Sequence, residues 1–224
     1  NLTICDCDGG GECEGNYGGG SGGCLRVSRG ANLNIYGGTY TNLATANTEH
    51  GGAVVIITNT AYSGAAAGSA PNESTFNFYG GTISGGKTTG SGGNLNVYSS
   101  KCTFNMYGGT IENGQADVNG GNIRSYGTVN LLGGTITGGS ATGNGDDVFI
   151  YDGTLTIGGE MNIGSIYLNG KSFEIHSSGL EPENPIEIIG IGKFATNVLT
   201  DLGACFKAAG EIVYDATAKT LTIQ

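Results

Sequence analysis

The chain has 224 residues and a formal net charge of −10, from 19 acidic and 9 basic side chains. Such a balance suits neither nucleic acid nor an anionic membrane surface, both of which demand clustered Lys and Arg. Its 45 Gly, 3 Pro and 12% charged residues sit among abundant Ile, Leu, Val, Phe and Tyr, which excludes collagen (the Gly residues keep no three-residue period) and argues against disorder.

No apolar run reaches the roughly 18 residues of a membrane span, so no membrane insertion is expected. No signal peptide is visible and the first residue is Asn1, so the chain is expected to be processed or to be a piece of a longer protein.

Residues 1–23 read as an irregular first coil: a strand at Leu2 to Ile4, then an acidic, Gly-rich stretch. Cys5, Cys7, Cys13 and Cys24 follow the spacing C-x-C-x5-C-x10-C, without the C-x2-C pairs or nearby His of a zinc site. Disulfide pairing among these four, or free thiols in an anoxic niche, is the expectation ahead of metal, and spacing does not choose among the three possible pairings. The acidic residues Asp6, Asp8, Glu12 and Glu14 are a candidate for a hard cation, with a solvated loop as the favoured reading.

From residue 33 the chain repeats itself. LNIYGGTYT returns as FNFYGGTIS, FNMYGGTIE and VNLLGGTIT, with Gly-Gly pairs starting at Gly37, Gly80, Gly108, Gly133 and Gly158. A second series interleaves with it: GGCLRVS from Gly22, GGAVVII from Gly51, GGNLNVY from Gly92, GGNIRSY from Gly120 and GDDVFIY from Gly145. Both series step by about 25 residues and both stretch once, at one insertion, residues 59–74.

Within each unit apolar and polar residues alternate over three to five positions, the spacing of strands. Leu33, Phe76, Phe104, Val129 and Leu155 should stack in one inward row, and Ile35, Phe78, Met106, Leu131 and Ile157 in the next. Three short strands per unit, separated by Gly corners, describe a parallel β-helix of about 25 residues per coil and about seven or eight coils. After Gly170 the period lapses. FEIHSS and IEIIGIG still alternate, FATNVLTDLGACFKAAG suggests a short helical turn, and EIVY and TLTI read as a terminal hairpin. Residues 1–170 are therefore assigned to β-helix coils and 171–224 to C-terminal coils and a capping hairpin, since an open solenoid end invites pairing with other chains.

The segments YGGTISGG, TGSGGNLNVY and LGGTITGGSATGNG resemble the GGTI-repeat right-handed β-helix proteins (a pectin-lyase-like superfold) secreted by gut-dwelling Gram-positive bacteria. The resemblance covers about residues 2 to 170. More loosely, the chain is similar to the GGAI-repeat passengers of polymorphic outer-membrane proteins. The resemblance implies an all-β, right-handed parallel β-helix in a large, modular, adhesin-like protein, secreted or at the cell surface, with a host glycan or protein as partner. The chain itself would be a monomeric fragment of that protein.

Several stretches bear on chemistry. Gly145-Asp146-Asp147 resembles an element of polygalacturonase-like hydrolases, and Asn47 to Gly51 faintly matches others. The two lie three coils apart, about 14 Å at the strand spacing, whereas glycosidase carboxyl pairs stand roughly 5 to 9.5 Å apart. No basic RIK element is present either. The expectation is a non-catalytic protein, with a polysaccharide lyase or hydrolase as the alternative. GNGDDVFI matches most of a calcium-binding nonapeptide, which makes Asp146 and Asp147 the candidate calcium ligands. The preceding coils carry Asn94 and Asn122 there, so an Asn-Asn-Asp ladder without cofactor is favoured. Two aromatic rows should face outward: Tyr36, Tyr79 and Tyr107 beside Asn34, Asn77 and Asn105, and Tyr98, Tyr126 and Tyr151 beside Asn96, Arg124 and Phe149. Rigid aromatic area with polar tips suits a sugar- or protein-binding face, although stacked rows also stabilise a solenoid unaided. Tyr98, Arg124, Tyr126, Phe149 and Tyr151 form the preferred ligand set, because Arg124 and Phe149 break the symmetry of their row.

Overall fold

A computed structural model describes residues 2–4, 12–14, 25–28, 30–41, 45–46, 55–58, 73–190 and 192–224. Its strands stack in parallel as a β-solenoid of about five regular turns, each of about 25 residues. Further strands extend it at both ends.

Each regular turn visits four ladders. The first holds Asn32–Ile35, Thr75–Phe78, Thr103–Met106, Thr128–Leu131 and the start of Thr154–Ile163. The second, after the Gly-Gly corner, holds Thr39–Thr41, Thr82–Ser84, Thr110–Glu112, Gly134–Thr137 and the end of Thr154–Ile163. A third consists of two-residue strands only, Thr45–Ala46, Lys87–Thr88, Gln115–Ala116 and Ser140–Ala141. The fourth runs from Leu25–Ser28 through Val55–Thr58, Leu95–Val97, Ile123–Ser125, Val148–Ile150, Ser165–Leu168 and Ile186–Ile189 to Phe206–Lys207. The alternation pattern led to three strands per unit. The third ladder escapes it because two residues are too few to alternate.

Register follows the repeat. Leu33 pairs with Phe76, Phe76 with Phe104, Phe104 with Val129, and Val129 with Leu155. Ile35, Phe78, Met106, Leu131 and Ile157 form the adjacent inward row, and both rows are buried. A one-residue slip would turn these side chains outward and the asparagines between them inward, so burial itself fixes the register.

The corners explain the glycines. In Tyr-Gly-Gly-Thr, the first Gly lies against the Tyr of the coil before: a Cβ on Gly108 would sit 2.7 Å from the Tyr79 carbonyl oxygen. The second, Gly109, has φ +83°, which L side chains rarely adopt.

Residues 59–72 of the insertion lie outside the described residues. Ser74, expected at its end, instead belongs to the coil: it is fully buried, its hydroxyl accepts from Gly30 N at 3.2 Å, and its carbonyl accepts from Thr103 N at 2.9 Å.

Beyond residue 170 the stack continues before it closes. Phe173–Pro182 pairs in parallel with Thr154–Ile163, and Gly192–Thr196 pairs in parallel with Phe173–Pro182. Then Thr220–Ile223 pairs antiparallel with both Gly192–Thr196 and Ile212–Asp215, ending the parallel register. The rings of Phe173, Phe194 and Phe206 meet at 5.3 to 5.8 Å and share one buried core with Leu221 of this hairpin. The suggested helical turn is a 3-10 turn at Gly203–Cys205.

Candidate functional site

The fourth ladder places Asn96, Arg124, Phe149 and Tyr167 in one outward row. Tyr98, Tyr126 and Tyr151 each follow one residue after their strand and converge on Arg124. Its guanidinium carbon lies 3.8 Å from the centroid of Tyr126, 5.7 Å from that of Tyr151 and 6.0 Å from that of Tyr98. The cation is held by ring faces rather than by acids. Two ion pairs occur among the described residues, Lys171 with Asp152 and Lys207 with Glu187, and Arg124 is in neither. Its Nη1 donates to Asn96 Oδ1 at 3.5 Å, while its Nε is buried without a partner. Burial pulls the guanidinium below its usual range and the three tyrosines oppose that shift.

Phe149 keeps the outward register expected of it but not the exposure. It is 3% exposed, stacked on Tyr167 at 5.3 Å and tilted against Tyr151 at 6.1 Å, so its ring supports its neighbours. Tyr167 on the next coil and Tyr151 on its own coil cover the Phe149 ring.

Asp146 and Asp147 diverge, as adjacent strand residues do. Asp146 is exposed and accepts from Ala141 N at 3.0 Å. Asp147 is buried as the last member of an amide ladder. Asn94 Nδ2 donates to Asn122 Oδ1 at 2.7 Å, and Asn122 Nδ2 donates to Asp147 Oδ1 at 2.9 Å. Gly86, Gly114 and Gly139 each donate a backbone N–H to the corresponding side-chain oxygen, at 2.8 to 2.9 Å. Ser165 N donates to Asp147 Oδ2 at 3.0 Å. Burial raises the Asp147 carboxyl above its usual range, with the hydrogen bonds from Gly139, Asn122 and Ser165 opposing. Among the described residues no group of three or more His, Cys, Asp or Glu side chains is placed to hold a metal ion.

Of the disulfide candidates, Cys5, Cys7 and Cys24 lie outside the described residues. Cys13 falls on the strand Glu12–Glu14, and its side chain is likewise outside the description. Cys102 is a free, buried thiol whose pKa burial pushes up. The residues Asn47 to His50 are also outside the described set.

The first ladder carries the more open aromatic row. Tyr36, Tyr79 and Tyr107 are 49%, 39% and 44% exposed and stack nearly parallel, with centroids 4.6 and 4.8 Å apart. Beside them Asn77 Nδ2 donates to Asn34 Oδ1 at 2.8 Å, Asn105 Nδ2 to Asn77 Oδ1 at 2.7 Å, and Asn130 Nδ2 to Asn105 Oδ1 at 2.7 Å. Both rows run into a groove of about 790 Å³. One wall is a bulge: register jumps from Ile157↔Ile175 to Gly159↔Leu180, leaving His176 to Gly179 opposite the single Gly158. His176 Nδ1 accepts from Ser178 N at 3.2 Å, which places the proton of the neutral ring on Nε2. The other wall is the segment from Asn197 to Leu202. Repeat periodicity misses this groove, since Glu174, His176, Asn197 and Leu199 come from segments outside the repeat. Loss of the Gly period after residue 170 was the available signal.

No family model, curated protein or solved structure matches the chain. No helix among the described residues is long and apolar enough to cross a membrane.

Proposed function

We propose that the chain is a non-catalytic, extracellular domain of a bacterial surface protein, adhering to a host glycan or protein and presenting that contact on a rigid solenoid. The observation that carries this reading is Arg124. In a chain of net charge −10, a half-buried guanidinium sits against three tyrosines with no acid paired to it. Such a cation is preset for an acidic group on a partner: its charge is already partly desolvated, so an incoming carboxylate or sulfate meets a strong field at little further cost. The GGTI motifs support the surface-protein part of the reading.

The alternative, a polysaccharide lyase or hydrolase, draws less support. The groove on the first ladder is lined by one carboxylate, Glu174, whereas glycoside hydrolysis uses two. Asp147 already spends both oxygens on Asn122, Gly139 and Ser165.

The test is a screen against acidic oligosaccharides and immobilised host proteins, with and without chelator. Binding that disappears in Arg124→Ala and in Tyr126→Ala supports the reading. Binding lost to chelator alone moves the site to Asp146 and its neighbours as a calcium centre. No binding at all leaves the domain as a spacer.

A further inference from the structure

The asparagine row on the first ladder is satisfied within itself until it reaches the groove. Each amide donates to the oxygen of the coil before, so Asn34, Asn77 and Asn105 have their oxygens occupied. Asn130 is where this stops, because the next coil offers Thr156 in its place and the one after offers Glu174. Asn130 Oδ1, the Thr156 hydroxyl and the Glu174 carboxylate therefore stand in successive register positions. Among the described residues none of these three groups accepts a hydrogen bond or joins an ion pair. Acceptors so placed call for hydroxyl donors.

The rest of the lining agrees. Tyr107 closes the aromatic stack at the groove, and Leu199, 68% exposed, stands on the opposite wall. They offer one aromatic and one aliphatic platform for the apolar faces of a ring. No Lys or Arg lines the groove, so it has no counter-charge for phosphate, sulfate or carboxylate. Its capacity of about 790 Å³ lies within the size of ligand sites. Tyr and Asn rows both run along the solenoid axis, which sets the direction of an elongated ligand.

We propose that this groove binds a neutral oligosaccharide chain lying along the solenoid axis, at a site separate from the Arg124 face. The chain's hydroxyls donate to Asn130, Thr156 and Glu174, and one of its rings rests on Tyr107.

Isothermal titration of the full chain with neutral hexasaccharides (glucan, mannan and chitin fragments) tests this, with an oligogalacturonate and an unstructured polar peptide alongside. Binding of at least one neutral hexasaccharide is expected, weakened tenfold or more by Tyr107→Ala and abolished by Thr156→Trp, which fills the groove from an outward position and leaves the core untouched. Far-UV circular dichroism checks that both variants fold, and Tyr107→Phe, which keeps the platform, should retain binding. Arg124→Ala should leave this binding unchanged, so the groove and the Arg124 face succeed or fail independently. The proposal is overturned if no neutral hexasaccharide binds, if binding survives Thr156→Trp, or if only the oligogalacturonate or the peptide binds.

Discussion

Asn122 donates to Asp147 Oδ1 at 2.9 Å, and at this bond a ladder of neutral amides terminates on a buried carboxylate. The two lower members, Asn94 and Asn122, use their oxygen on a corner Gly N–H. They use their nitrogen on a carbonyl of the next coil as well as on the next side chain. Asp147 has no N–H to pass on, and its second oxygen takes Ser165 instead.

Because burial raises the Asp147 carboxyl above its ordinary 3.8, the folded state favours the protonated form. Its stabilising contribution is present below 3.8 and lost as pH rises through the higher folded value. Asp147→Asn removes this titration. Urea melts from about pH 3 to pH 7 should therefore show the variant gaining stability relative to wild type as pH rises. A difference that stays flat or moves the other way would refute the assignment.

Asn122→Leu keeps the volume and strands its partners. Gly114 N, the Thr137 carbonyl and two flanking side chains lose a bond at once, in a buried setting. A loss of roughly 3 kcal/mol or more is expected in denaturant unfolding, since each stranded buried group costs about 1–3 kcal/mol.

The corner beneath the ladder gives a paired test. A Cβ on Gly114 would lie 2.3 Å from the Gly121 carbonyl oxygen and within 3 Å of the Asn94 and Asn122 amides. Gly114→Ala should cost roughly 3 kcal/mol, as backbone must shift. Asn113, one residue earlier, holds φ +56° where the neighbouring coils place Gly85 and Gly138. Asn113→Gly should change stability by no more than about 0.5 kcal/mol, while Asn113→Val should cost about 1–2 kcal/mol, the penalty of a β-branched residue in the left-handed region.

Tyr79 is the middle ring of the exposed stack and makes both of its contacts. Tyr79→Ala should cost about 1–3 kcal/mol, two aromatic pairs at roughly 0.5–1.5 each, and Tyr79→Phe close to nothing. Thermal melts separate the two.

At the far end, Leu221 is fully buried in the strand that closes the stack. Leu221→Asp should release the hairpin and bare the edge of Gly192–Thr196. Self-association in size-exclusion chromatography with light scattering is then expected at concentrations where the wild type stays monodisperse.

Periodicity alone made the inward rows legible: the pairing of Leu33 with Phe76 and Phe104 can be read from the alignment of three short strings, and Asn94, Asn122 and Asp147 align by the same means. What periodicity cannot convey is how far each outward side chain stands from its neighbours. Phe149 and Tyr151 are two residues apart and both aromatic, yet one is covered and the other open. The difference lies in Tyr167, one coil further on, where the repeat has begun to fade. The groove is a stronger case of the same kind. Its floor is repeat sequence, and its walls are a bulge at His176 and a cap segment at Leu199, neither of which any other coil resembles.

Thr154–Ile163 runs as a single strand through its corner, paired with Thr128–Leu131 and Gly134–Thr137 on one side and, across the bulge opposite Gly158, with Phe173–Pro182 on the other. The coils before it turn each corner between separate strands, so under tension applied between the chain ends they can peel away singly, each paying out about 25 residues of slack. Thr154–Ile163 must give way on both sides of its corner before it yields. Under such a load the chain would therefore lengthen stepwise from the N-terminal side, and the groove gathered around Thr156 would be among the last parts to give.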